Sequence, residues 1–144
     1  MRAPLLIALA AGGLVLNVAV APLRAHHSFN SEFDAAKPIK LTGTVKKMEW
    51  INPHSWLTLD VKGPSGAIET WEIEAGAPNA MFRRGFNRNS LPIGTEVIVN
   101  GFQAKDGRKR ANGRDISFPD GRKLFMGSSQ TGAPNDGRDP GVKP

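Results

Sequence analysis

The residues of this 144-residue chain best suited to chemistry are its three histidines, which fall in two places, His26-His27 and His54. Neutral imidazole binds copper, zinc and nickel, and affinity for divalent ions peaks at copper. The chain has no cysteine, so thiolate sites and disulfide frameworks are both excluded. Three histidines without thiolates or a carboxylate cluster favour copper before zinc.

The position of the first pair sharpens this reading. Met1-Arg2 gives a positive start, Leu5 to Val20 is apolar apart from Gly12, Gly13 and Asn17, and Ala21-Pro22-Leu23-Arg24-Ala25 follows. That is the layout of a cleaved signal peptide. The run is shorter than the roughly 20 apolar residues of a spanning helix, and no stop-transfer pattern follows. Ala19-Val20-Ala21 offers a second cleavage site, but there Pro22 would hinder the peptidase, so Ala25 is favoured.

Cutting after Ala25 makes His26 the first residue. Its amine has an ordinary pKa of about 8, and amine, side chain and one further imidazole from His27 or His54 would form a histidine-brace-like site. The competing reading makes His26-His27 a solvated terminus and His54 a residue that caps a turn. The dozen or so residues between His27 and Ile39 could span roughly 40 Å when extended, so reach does not decide between the two.

Removing 25 of the 144 residues leaves 119, enough for one domain with one modest core. Arg2 and Arg24 leave with the signal, so 17 basic side chains face 13 acidic ones. This excess suits weak contact with anionic surfaces. The bacterial periplasm is the expected compartment.

The elements expected to position these residues are mainly strands. Residues 26–38 read as an extended arm that packs Phe29 and Phe33, and residues 39–126 as the domain. Ile39 to Trp50 alternates Leu41, Gly43 and Val45 with Thr42, Thr44 and Lys46, and Asn52-Pro53 ends it. His54 to Lys62 turns Leu57, Leu59 and Val61 to one face and Trp56, Thr58 and Asp60 to the other. Gly63-Pro64-Ser65-Gly66 is a hairpin turn, and Ala67 to Ala75 opposes Trp71 and Ile73 to Thr70, Glu72 and Glu74.

Pro78 starts a short helix that Gly85 stops, and Thr95 to Gln103 is a fourth strand. Arg114 to Phe118 is a fifth, extended after the turn at Pro119-Asp120-Gly121 by Arg122 to Phe125. Residues 127–144, rich in Gly, Pro, Ser and Asp, read as a disordered tail. Three strands, a short helix and two strands predict an all-β fold, a five-stranded OB-fold-like Greek-key barrel. Another small antiparallel barrel or sandwich is the alternative.

In an OB-fold the loop after strand one and the loop between strands four and five flank the binding face. Ile51-Asn52-Pro53-His54 and the basic run Lys105, Arg108, Lys109, Arg110 are therefore expected to be neighbours. Trp50, Asn52 and Trp56 with that run form a candidate ligand surface. Trp56 would stack on a ring, and the basic loop would attract an anionic glycan, a lipid or a partner protein. Trp71 points inward. Asp60, Glu72 and Glu74 on the outer face argue against nucleic acid.

Catalysis has little support. Ser28 and Ser55 adjoin histidines in sequence, which does not build a nucleophile and base, and no G-x-S-x-G or phosphate loop occurs. The expectation is a binding protein, with a copper oxidoreductase as an outlying alternative.

His26-His27-Ser28-Phe29, Trp50-x-Asn52-Pro53-His54, Pro78-Asn79 with Arg84-Gly85-Phe86, and Leu91-Pro92-x-Gly94 together resemble an uncharacterised family of small exported bacterial proteins, a domain of unknown function (DUF6152). The likeness runs from His26 to about Leu124. Phe86 stands where the family pattern often carries tryptophan. The resemblance implies export and a single β domain and brings no activity with it.

Overall fold

A computed structural model describes residues 29–127. The signal segment, His26, His27 and the tail from 128 onward lie outside the described residues. The order is α1 (Phe29–Glu32), β1 (Phe33–Glu49), β2 (Trp56–Lys62), β3 (Ile68–Glu74), α2 (Pro78–Arg83), β4 (Glu96–Ala104), β5 (Arg110–Ser117) and β6 (Lys123–Phe125).

The fold is all-β, and its hydrogen bonding closes on itself. β1 pairs antiparallel with β2 and β4, β2 with β3, and β4 with β5, while β3 and β5 join in parallel through Glu72–Arg110, Ile73–Ala111 and Glu74–Asn112. This ring of five strands, with α2 between β3 and β4, fits the expected OB-like arrangement. β6 adds a short antiparallel edge to β5.

Alternation along the strands builds the core, because successive side chains point to opposite faces. Leu41 and Val45 of β1, Leu57, Leu59 and Val61 of β2, Trp71 and Ile73 of β3 and Val97 and Val99 of β4 are all buried in one cluster. Each large aliphatic side chain buried in this way contributes about 1.5–3 kcal/mol. The register of β1 against β2 shifts between Val45 and Lys47, a bulge that bends the long strand so that it serves both neighbours.

Close backbone approach fixes the join that matters for the site. At Gly101, opposite Gly113 where the β4–β5 register shifts, an added Cβ would overlap the Asn112 carbonyl oxygen. Glycine there lets β5 lie against β4 while its first residues reach β3.

Several boundaries differ from the sequence expectation, each for a local reason. The arm is not extended throughout: Phe29–Glu32 forms a helical turn and residues 33–38 already belong to β1. Phe29 and Phe33 do pack, in a second cluster with Phe102 and Ala104. β2 starts at Trp56 rather than His54, since the turn after the cis Asn52–Pro53 bond extends through the preceding residues. β5 starts at Arg110 rather than Arg114, because β3 supplies a partner for Arg110 to Asn112. Gly127, read as the first residue of the tail, donates to the Arg114 carbonyl and accepts from Arg84 Nη1 at 2.7 Å.

Candidate functional site

His54 lies in the turn leading into β2, and its neighbour Ser55 is tied to the end of β3. Ser55 N–H donates to the Gly76 carbonyl at 3.1 Å, and Ala75 N–H donates to the Ser55 carbonyl at 2.9 Å. Across this join His54 Nδ1 comes 3.1 Å from Glu74 Oε1, with the side chains only 17% and 9% exposed.

Glu74 was expected on an open outer face beside Glu72. It is buried instead, while Glu72 stays exposed. The cause is ring closure: Trp56 of β2 lies opposite Glu74 on one side and Asn112 of β5 on the other. No sequence period reports a long-range parallel pairing of three residues.

Burial pushes the Glu74 carboxyl up from 4.5 to about 7; the negative charge of Glu32 acts in the same direction, and Arg110 opposes both. Between pH 4.5 and 7 folded Glu74 holds a proton that the unfolded chain has released. Its contribution to stability is therefore largest below 4.5 and is lost as pH rises through 7. The loss is on the order of 3 kcal/mol. Urea unfolding at a series of pH values should show this slope in the wild type and its disappearance in Glu74→Gln; equal slopes would contradict it.

The basic run and Trp56 meet here, as the fold reading requires. The Arg110 guanidinium stacks over the Trp56 ring at 4.3 Å. Its charge, however, is turned into the protein. Arg110 Nη1 bonds Glu32 Oε1 at 2.8 Å, with Glu72 at 3.8 Å from Nε. Arg108 pairs with Asp106 and with Glu32. Lys109 sits 2.9 Å from Glu69, whose carboxyl its hydrogen bond holds below the usual range, and lies over Trp71 at 5.4 Å. Lys105 Nζ donates to the Asn30 carbonyl at 2.6 Å, and its N–H to that of Glu32 at 2.9 Å.

The loop thus anchors α1 and the edge of β3 with the cations that were read as a ligand surface. Exposed pairs of this kind are individually weak, but together they cancel much of the loop's field. Glu32→Ala, which releases Arg108 and Arg110, should elute from a heparin column at higher salt than Glu96→Ala, a change of equal charge at an exposed β4 position. Coincident elution of the two variants would contradict the cancellation.

The remaining candidates divide. Trp50 packs on α2, its ring 5.1 Å from that of Phe82 and 6.2 Å from that of Phe86, and so covers the core. Asn52 is exposed in the turn, where nothing gathers it into the cluster. Trp71 is inward and 6% exposed. Glu32 and Glu74 are the residues sequence reasoning missed at the site. Neither carries a motif, and only their spatial partners single them out.

Chemically, the cluster brings together one half-buried imidazole, a buried carboxyl behind it, a second carboxylate and a guanidinium stacked on an indole. Among the described residues, no group of three or more His, Cys, Asp or Glu side chains is arranged to hold a metal ion. No helix among the described residues is long and apolar enough to cross a membrane.

No curated protein and no solved structure matches the chain. The sequence profile of one family, described only as a family of unknown function, matches residues 14–113. Those residues include both histidine motifs and every strand up to the middle of β5. The chain belongs to that family of unknown function, DUF6152.

Proposed function

We propose that this protein is exported to the periplasm and binds a divalent transition metal, copper before zinc, through His54 together with the amino-terminal His26 and His27. The observation that carries the reading is half-buried His54 at 3.1 Å from buried Glu74, beside the helical turn that follows the His26-His27 segment. His27 precedes Phe29 by two residues, so the two Cα atoms are at most about 7 Å apart. Glu32, at the end of that turn, is near enough to raise the Glu74 carboxyl.

The donor chemistry suits the proposal. Three imidazoles and a terminal amine form an all-nitrogen set, which imidazole-preferring ions accept without thiolate. The anionic-ligand reading loses support because Glu32, Glu69, Glu72 and Asp106 already answer the basic loop. Isothermal titration of protein recovered after export, its first residue identified by mass spectrometry, should give one saturable site for Cu(II) and a weaker one for Zn(II). A first residue of His26 with no saturable binding would end the reading.

A further inference from the structure

The segment from Ala75 to Thr95 carries three arginines and no acidic residue, and it holds α2 with the loop that follows it. Arg84 is turned inward, bonding the Gly127 carbonyl at 2.7 Å and lying over the Phe125 ring at 4.8 Å. Arg83 and Arg88 are exposed, and no carboxylate among the described residues pairs with either. The basic loop differs in this respect, since Arg108, Lys109 and Arg110 each meet a carboxylate.

Apolar groups adjoin these two cations. Arg88 lies over the Phe82 ring at 5.9 Å, and that ring is 5.1 Å from the ring of Trp50. Both aromatics are half-buried. Ile51, next to Trp50 in the chain, is 50% exposed, whereas a lone acid before Trp50, Glu49, is paired with Lys47 at 2.8 Å. A dissolved polyanion would reward the arginines and leave Ile51 and the rings in water. A bilayer with anionic lipid rewards both, because its negative surface draws basic side chains while aromatic and aliphatic groups enter the headgroup region.

We propose that the surface formed by Trp50, Ile51, Phe82, Arg83 and Arg88 docks on a phospholipid bilayer bearing anionic headgroups. It uses neither His54 nor the basic loop, and it stands whether or not the protein binds a metal.

Flotation with lipid vesicles tests this on protein recovered after export, all variants sharing one amino end. The wild type should bind phosphatidylcholine vesicles that contain phosphatidylglycerol and bind pure phosphatidylcholine far less. Each arginine near an anionic surface is worth about fivefold in partitioning, so Arg83→Gln with Arg88→Gln should lower the partition coefficient by about 10- to 30-fold. Lys40→Gln with Lys62→Gln removes the same charge at exposed positions, one well before Trp50 on β1 and one at the end of β2 remote from Trp56. That pair should change partitioning by less than about threefold, because screening confines the attraction to charges near the bilayer. Ile51→Ser should weaken vesicle binding by about fivefold and leave elution from heparin unchanged.

No binding of the wild type to the mixed vesicles overturns the proposal, as does an arginine variant that loses no more than the lysine variant. An Ile51→Ser protein that binds vesicles as the wild type does also overturns it, and would mark the arginines as a site for dissolved anions.

Discussion

Replacing His54 by alanine is expected to weaken divalent-metal binding by at least about 100-fold, since second-sphere partners alone are worth 10- to 100-fold. The fold should survive the change. His54 is half-buried in a turn and belongs to neither core cluster, and removing it takes away a polar ring rather than apolar packing. Competition titration against a chelator of known affinity reads the effect, with circular dichroism as the check on folding. A folded His54→Ala protein that binds as tightly as the wild type would leave His26 and His27 as a site of their own, unconnected to the barrel.

The second large effect is on stability. Gly101→Ala should cost about 3 kcal/mol or more, because the new Cβ collides with backbone rather than with a side chain that can turn away. The collision is with Asn112, the β5 residue beside Glu74, so relief requires β5 to move away from β4 and slackens the join to β3. Urea unfolding gives the loss, and a midpoint within experimental error of the wild type would contradict the close approach. Gly94→Ala is the useful contrast. An added Cβ there meets nothing within 4 Å, and only the positive φ of 90° opposes it.

The two effects connect sequence to site by different routes. His54 supplies a donor atom directly. Gly101 has no chemistry of its own, yet by permitting β5 to cross from β4 to β3 it places Asn112 and Arg110 beside the residues that bury Glu74.

Much of the fold was legible because it follows from local rules. Leu57, Leu59 and Val61 alternate with polar neighbours, Gly63 to Gly66 marks a hairpin, and Pro78 and Gly85 bracket a short helix, so these elements fall close to where the residues place them. The α-turn at Phe29–Glu32 was not legible, since it is set by Phe29 packing on Phe33 and Phe102 and by Lys105 binding its carbonyls.

The site was legible only in part. His54 stood out by rarity and by its proline turn, and the meeting of Trp56 with Arg110 followed from the loop order of the fold. Glu74 was misjudged as exposed because strand alternation assigns a face without saying what covers it. The ion pairs of the basic loop were not legible because its counter-charges, Glu32, Glu69 and Glu72, lie from 38 to 78 residues away along the chain or across a parallel join.

The claim on which the function turns is that His54 and the amino-terminal histidines hold the same ion. X-ray absorption of the Cu(II)-loaded protein recovered after export counts the imidazoles directly. The expected spectrum contains imidazole scattering from more than one ring, and His54→Ala should lose one ring's share of it. A spectrum unchanged by His54→Ala would mean that the ion never touches the barrel.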